Sequence, residues 1–173
     1  MDTSLNAIIW GQLGAAIDMM EDAIRACPDT VWSDNTKRPE WPSNDVVGFW
    51  YLAFHTLFFL DYYLSDSPDG FAPPPPFTLD EMDPAGLLPE HPYTKTELLN
   101  YLDHCRSKAR NALQNLTEES ASKPCGFERR NFTRAELLIY TMRHVQHHTA
   151  QMNLILRRET GSAPLYVGRT RGG

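Results

Sequence analysis

Three histidines in two helical segments are the residues of this chain whose type and spacing could do chemistry. His144 and His148 are four residues apart, so a helix places their imidazoles side by side on one face. His55 lies in a separate apolar segment, residues 54–60. A third imidazole from a neighbouring helix would complete a three-nitrogen site with open coordination positions, as in catalytic metal centres. The sequence therefore predicts His55, His144 and His148 as ligands of one divalent metal ion.

The register of the last helical segment decides between its histidines. At roughly 100° per residue, His148 falls inside the apolar stripe and His144 lies at its edge. His147 points roughly 60° beyond His144 and is expected at the surface. Gln151, close to the same edge, is predicted to hydrogen-bond a ligand or a substrate. The stripe consists of Leu137, Leu138, Thr141, Val145, Met152, Ile155 and Leu156.

Two tyrosines share the stripe of His55 and are the other candidate site residues. Tyr51 lies one turn before His55 and Tyr62 about two turns after it. Their phenols could orient a bound water or a substrate. Asp61 points away from this stripe by the same count and is expected at a surface or an interface. No carboxylate has the clear placement of a general base, so the catalytic residues stay unassigned.

A structural role for the histidines is the alternative interpretation. A histidine on an apolar helix is often a hydrogen-bonded core residue. Two histidines four residues apart, like His144 and His148, also occur by chance on surface helices. However, three buried neutral imidazoles without partners would each carry a desolvation cost, which a shared metal removes. Three imidazoles suit zinc, nickel, copper or iron, so the pattern leaves the ion open. Nothing beyond the histidines indicates the planar pocket of a haem.

Four helical segments must position these residues, and they predict an all-α four-helix bundle. The second segment is apolar nearly all round, so it is either the central helix of the bundle or part of a subunit interface. Ser43 or Asn44 can cap it. Capping boxes open the third and fourth segments, and Gly161 is a stop signal for the last. The segments are approximately 3–27, 44–65, 95–116 and 134–160.

A proline-rich connection separates the second and third segments. Residues 66–93 contain eight of the thirteen prolines. Because each proline removes a donor and clashes with the preceding turn, a regular helix is not expected there. A stiff crossover loop is favoured over an SH3-type ligand. The tail, residues 161–173, has too little periodicity for an assignment.

Length and composition bound the function classes. The 173 residues are expected to form one domain, 1–173, with its core at about 3–160. The net charge of −6 argues against nucleic acid as a main partner. Three widely spaced cysteines fit a reducing cytoplasm better than a disulfide framework. The longest apolar stretch, about 46–64, is broken by His55 and Asp61, so a membrane span is not expected. Met1 is followed by Asp2 and a polar start, so a signal peptide is not expected either.

The arrangement resembles the DinB/YfiT-like superfamily. The matching residues are His55, in its context of residues 54–61, and then His144, His148 and Gln151. The family usually shows a His-Arg-Gly-Gln-like run, where this chain has His148-Thr149-Ala150-Gln151. The resemblance implies a divalent zinc, nickel or iron ion bound by the three histidines with water. It also implies a homodimer, since dimers are common in the family. Members of known activity include transferases and isomerases that use bacterial low-molecular-weight thiols, and others have no established activity.

The first hypothesis is therefore a small cytoplasmic metalloenzyme acting on a small-molecule substrate. The metal would lower the pKa of a thiol or water, whose anion then attacks an electrophile. Thiol transfer is favoured over hydrolysis only by family analogy. The second hypothesis is a metal-binding or stress-response module of the same fold without turnover. The third is a dimeric bundle whose histidines only pack.

Overall fold

The computed structural model describes residues 4–33, 48–85 and 89–172, and within these ranges the chain is helical, without strands. A 3-10 helix, Asp80–Met82, interrupts the proline-rich connection. The four long helices and the long connection confirm the predicted all-α fold. The sequence reading did not predict the two four-residue helices. The described α-helices are α1 (Leu5–Ala26), α2 (Asp29–Trp32), α3 (Phe49–Tyr63), α4 (Lys95–Gln114), α5 (Glu118–Ala121) and α6 (Arg134–Thr160).

The four long helices surround one apolar core. Both α1 and α3 pack against α4 and α6, so α1 and α3 occupy opposite corners of the bundle. Burying these side chains removes apolar surface from water, at about 25 cal/mol per Å². Core side chains with at most 1% exposure include Leu13, Ile17, Phe54, Phe58, Leu98, Leu102, Val145 and Met152.

Helix α3 is covered on most of its sides within the chain, which accounts for its nearly continuous apolar surface. Only Tyr51, Phe59 and Tyr62 are partly exposed along it, and they share a stripe with His55. The single open side of α3 is thus the side that carries the histidine. The helix begins at Phe49, after the extended residue Gly48, and the predicted start at residues 43–47 lies outside the described ranges. No helix in the described ranges is both long and apolar enough to cross a membrane.

The two predicted capping boxes set the starts of α4 and α6. Thr94 accepts from the backbone N–H of Glu97, whose carboxylate accepts from the backbone N–H of Thr94 in return. Thr133 and Glu136 repeat the arrangement at α6. These pairs satisfy amides that the first helical turn leaves without partners. Gly161 ends α6 in the left-handed region, with φ of 77°, which glycine adopts without steric cost.

Asp61 is buried, so its predicted surface position was wrong. Its side chain is 1% exposed and accepts hydrogen bonds from Tyr101 Oη at 3.0 Å and from Lys108 Nζ at 2.5 Å. The exposed His104 lies 3.4 Å from the same carboxylate. A buried carboxylate is tolerable here because Lys108 on α4 pairs with its charge.

The tail runs back along α1 and is anchored by a buried carboxylate. Asp18 is 4% exposed and accepts from Thr170 Oγ1 at 3.0 Å and from the Arg171 backbone N–H at 2.7 Å. A Cβ at Gly14 would lie 2.6 Å from Thr170 Oγ1, so the close approach needs glycine. Burial alone would raise the pKa of Asp18, but the hydrogen bonds from Arg171, Arg106 and Thr170 hold it below its usual value.

Candidate metal centre

Helices α3 and α6 bring His55, His144 and His148 together. The ring centroids are 5.4 Å apart for His55 and His144, 4.8 Å for His55 and His148, and 4.5 Å for His144 and His148. One nitrogen from each ring lies within 4.8 Å of the other two. His55 and His148 are buried and His144 is half-buried, whereas His147 is exposed, as its register predicted. The three side chains could hold one metal ion.

A carboxylate from the proline-rich connection fixes the orientation of His55. Nδ1 of His55 hydrogen-bonds Oε1 of Glu81, and the hydroxyl of Tyr51 donates to Oε2 of Glu81 at 2.8 Å. Since an ionised carboxylate only accepts, Nδ1 carries the proton and Nε2 keeps its lone pair. Metal-binding histidines commonly show this carboxylate contact, which raises the basicity of the ligating nitrogen.

The buried carboxylate of Glu81 also acts on Tyr51. Burial, the negative charge of Glu81 and the hydrogen bond to it all raise the pKa of Tyr51 far above its ordinary value. The phenol therefore stays protonated and serves as a donor that restrains Glu81.

Gln151 plays the corresponding part for His148. Nδ1 of His148 lies 2.7 Å from Oε1 of Gln151. Since a carbonyl oxygen only accepts, the proton is again on Nδ1 and the lone pair on Nε2. Both residues are on α6, three positions apart, so the helix itself sets this contact.

His144 supplies a nitrogen that protein groups leave unsatisfied. Its Nδ1 is buried and has no hydrogen-bond partner in the described part of the chain. Burial, followed by the neighbouring His148 and His55, lowers the pKa of His144 to about 3. Burial lowers the pKa of His148 to about 4, although the bond to Gln151 acts in the opposite direction. Both imidazoles are thus neutral near pH 7, the form that binds metals, and the donor set fits a divalent ion.

Tyr62 does not pack against the histidines, whereas the rings of Phe59 and Tyr63 do. Its ring packs on Phe71 and Phe127, at 5.1 and 4.9 Å. The ring of Phe59 is 4.9 Å from His55 and 5.7 Å from His144, and the ring of Tyr63 is 6.3 Å from His144. These rings give the cluster an apolar wall on the α3 side.

Glu81 is the site residue that sequence reasoning missed. It lies 26 positions after His55, in a connection without helical or strand periodicity. Its side chain is only 6% exposed. The acidic stretch Asp80, Glu81 and Asp83 was visible in the sequence, but no pattern there indicates which carboxylate turns inward.

A cavity of about 730 Å³ opens onto the cluster between α1, α6 and the tail. His144 is part of its wall, and His147, Tyr140 and Gln12 add polar groups to it. The volume falls in the range that small-molecule sites occupy. The small side chains of Ala15 and Ala16 on α1 and the tail residue Tyr166 complete this side of the cavity.

The fold and the cluster define a class: helical bundles with three histidines converging from two of their helices. The sequence profile of the DinB superfamily matches residues 12–152, and the chain belongs to this superfamily. The structure is similar to the crystal structure of a DinB-like protein, YjoA, from Bacillus subtilis, with a TM-score of 0.62 and 18% sequence identity. The match covers 95% of this chain and 99% of that one. A search of curated proteins found no match.

Proposed function

We propose that His55, His144 and His148 hold one divalent ion, zinc, nickel or iron, and that the protein is a metal-dependent transferase for a low-molecular-weight thiol. The observation that carries the metal site is the hydrogen bonding of the cluster. Glu81 and Gln151 occupy Nδ1 of His55 and His148, which leaves the lone pairs on Nε2, while Nδ1 of His144 is buried and unsatisfied. A shared cation would give the buried Nδ1 of His144 a partner, and the contacts of Glu81 and Gln151 are of the kind that metal-binding histidines commonly make.

Each residue of the site has a distinct part in this function. A divalent ion bound there would supply Lewis acidity, lowering the pKa of a thiol or water so that its anion exists near neutral pH. Glu81 keeps the proton on Nδ1 of His55, and Tyr51 restrains Glu81. The rings of Phe59 and Tyr63 keep the α3 side of the cluster apolar, which strengthens electrostatic interactions inside it.

The placement of Glu81 favours thiol transfer over hydrolysis. Its two oxygens are engaged by His55 and Tyr51, so this carboxylate is not available to take a proton from an attacking water. A thiolate needs no general base once its pKa is lowered. The cavity of about 730 Å³ beside His144 has room for a small-molecule thiol and an electrophile.

Elemental analysis of the protein purified without a histidine tag tests the metal site. About one divalent ion per chain is expected, and the double variant His55→Ala/His148→Ala should lose it. His147→Ala is the matched control, because this exposed histidine is on the same helix and should leave the metal content unchanged. No ion in the wild type, with no uptake of added zinc, nickel or iron and normal helical content, would overturn the proposal.

A thiol-transfer screen then separates an enzyme from a binding module. Small thiols are paired with electrophiles such as epoxides or haloaromatics, and thioether formation is followed. Turnover that is lost in His148→Ala and kept in His91→Ala supports the transferase, because the His91 side chain is 83% exposed and lies outside the cavity lining. A stoichiometric metal without turnover across the screen would favour the metal-binding or stress-response module instead.

The location and the assembly of the protein belong to the same proposal. All three cysteines are free thiols, which fits a reducing compartment such as the cytoplasm. A homodimer rests on the family resemblance, since the apolar helix α3 is covered within one chain. Light scattering coupled to size exclusion gives the mass in solution, and a mass near 19.7 kDa would overturn the dimer.

A further inference from the structure

A second cavity, of about 640 Å³, lies beside the histidine cluster. Phe59 and Tyr63 line this cavity, and the rings of the same two residues contact His144 at 5.7 and 6.3 Å. The cavity and the cluster therefore share an aromatic wall. Tyr62 and Phe127, whose ring centroids are 4.9 Å apart, add two more aromatic side chains to the lining. Such walls favour a flat, apolar ligand.

Arg130 gives this aromatic cavity a positive charge. The guanidinium carbon lies 4.2 Å from the ring centroid of Tyr140 and 5.0 Å from that of Tyr63. One terminal nitrogen donates to the hydroxyl of Tyr63 at 2.7 Å. In the described ranges, no carboxylate forms an ion pair with Arg130 within 4.0 Å. The guanidinium is thus held by two aromatic rings and a hydroxyl rather than by a carboxylate.

The other charged residues of the cavity are more accessible to water. Arg129, Asp69 and Glu128 also line it, and all three are exposed, whereas Arg130 is half-buried. Water and salt screen the exposed charges. The half-buried guanidinium on an aromatic wall interacts more strongly with an incoming charge. Asp69 and Glu128 face the same cavity and would repel a bound anion. An anion that binds there therefore depends on direct hydrogen bonds to the guanidinium of Arg130.

We propose that this cavity binds a small aromatic carboxylate. The planar guanidinium of Arg130 matches a carboxylate through two parallel hydrogen bonds. The ligand ring would lie against the aromatic lining. The binding itself needs no metal. The shared wall of Phe59 and Tyr63 places the bound acid next to the three histidines, and a link to the reaction there rests on the proposed function.

Titration of the protein with benzoate at pH 7 tests the site, with benzamide and acetate as probes that lack the charge or the ring. Calorimetry gives the affinity, and two-dimensional NMR locates the shifted resonances. Benzoate is expected to bind at least tenfold more tightly than either probe, with shifts at Phe59, Tyr62 and Phe127. Equal binding of benzoate and benzamide, or shifts confined to other parts of the molecule, would overturn the proposal.

Variants at two adjacent arginines separate the half-buried charge from surface charge. Arg130→Gln should weaken benzoate binding at least tenfold, and Arg130→Lys should fall between it and the wild type because the charge remains without the planar fork. Arg129→Gln, which removes an exposed charge from the same lining, should weaken binding less than Arg130→Gln does. Arg157→Gln, at an exposed arginine outside the lining, should leave the affinity unchanged. Circular dichroism checks that Arg130→Gln keeps its fold. If Arg130→Gln unfolds, the affinities of the wild type for benzoate and benzamide are sufficient to test the carboxylate site. Equal losses in Arg129→Gln and Arg130→Gln would contradict the assignment.

The same titrations on metal-free and zinc-loaded protein keep this proposal apart from the proposed function. Benzoate binding to both forms supports the cavity site whatever the metal does. Failure to bind zinc, with benzoate binding intact, overturns only the metal centre. Zinc binding without benzoate binding overturns only the carboxylate site.

Discussion

His55 donates its Nδ1 proton to Glu81, a residue that follows it by 26 positions and belongs to the short 3-10 helix of the proline-rich connection rather than to a helix of the bundle. The carboxylate both orients the imidazole and increases the electron density on its other nitrogen. Ligand position and ligand strength are thus set by different parts of the chain: α3 places His55, and the connection determines how strongly it can donate.

Removal of this carboxylate should weaken metal binding without removing a ligand. We expect Glu81→Ala to lower the affinity for zinc by about 10–100-fold, since His55 loses its orienting partner. Glu81→Gln should lie in between, because its amide oxygen still accepts from Nδ1. Competition with a chromogenic chelator gives the affinities. Glu90→Ala is the control, as this carboxylate in the same connection is 91% exposed. Equal affinities for wild type and Glu81→Ala would contradict the assigned role.

The proton positions on the histidines can be observed directly. Long-range ¹H–¹⁵N spectra of the metal-free protein should show His55 and His148 with the proton on Nδ1. Gln151→Leu removes the acceptor 2.7 Å from Nδ1 of His148, so this tautomer should lose its preference and the zinc affinity should fall about tenfold. Gln146→Leu is the control, because Gln146 lies roughly 140° from Gln151 around the same helix. This variant should leave the tautomer of His148 and the zinc affinity unchanged. An Nε2 proton on His148 in the wild type would refute the arrangement.

The histidines on the helices could be predicted from the sequence, but the residues that hydrogen-bond them from outside the helices could not. The faces of His144 and His148 follow from the helical period, and the capping boxes at Thr94 and Thr133 locate α4 and α6. Glu81 could not be found, because an irregular connection has no period that relates it to His55. Asp18 was equally hidden, since its partners come from the tail and from α4. These contacts depend on tertiary packing, which local patterns do not encode.

The metal-free protein should become less stable as the pH falls from 7 to 4.5. Burial, then neighbouring imidazoles, lowers the pKa of His144 to about 3, and burial lowers that of His148 to about 4, whereas their ordinary value is 6.5. Below pH 6.5 the unfolded chain binds more protons than the folded chain, so the free energy of unfolding decreases with falling pH. The pKa of Asp18 is lowered from its ordinary value of 3.8. Its contribution to stability is therefore lost only below that pH, outside this window.

Urea unfolding at several pH values measures this dependence. His144→Asn should flatten the profile between pH 6.5 and 4.5, because one of the two buried titrating groups is gone. His147→Asn should leave the slope as it is, since that side chain is exposed. A profile of the wild type that is flat over this range would show that the imidazoles take up protons in the folded state.

Asp18 is expected to contribute more to stability than other carboxylates on α1. Asp18→Ala removes the acceptor for Thr170 and for the Arg171 backbone and deprives Arg106 of a buried partner. The free energy of unfolding should fall by about 3 kcal/mol, and the tail should become sensitive to proteases. Asp22→Ala, which removes a partly exposed partner of Arg171, should cost less than about 1 kcal/mol. Similar losses in both variants would show that the tail gains nothing from the buried carboxylate.

The position of Glu81 in a short 3-10 turn, rather than on the bundle, has a consequence for how metal preference can diverge. Insertions and substitutions are tolerated more easily in connections than in packed helices. A change in the length of this connection would move the carboxylate away from His55 and leave the bundle and its three imidazoles intact. Two chains with the same helices and the same histidines could then differ in the ion they retain. The sequence difference responsible would lie in the proline-rich connection, so a comparison of the helices alone would not show it.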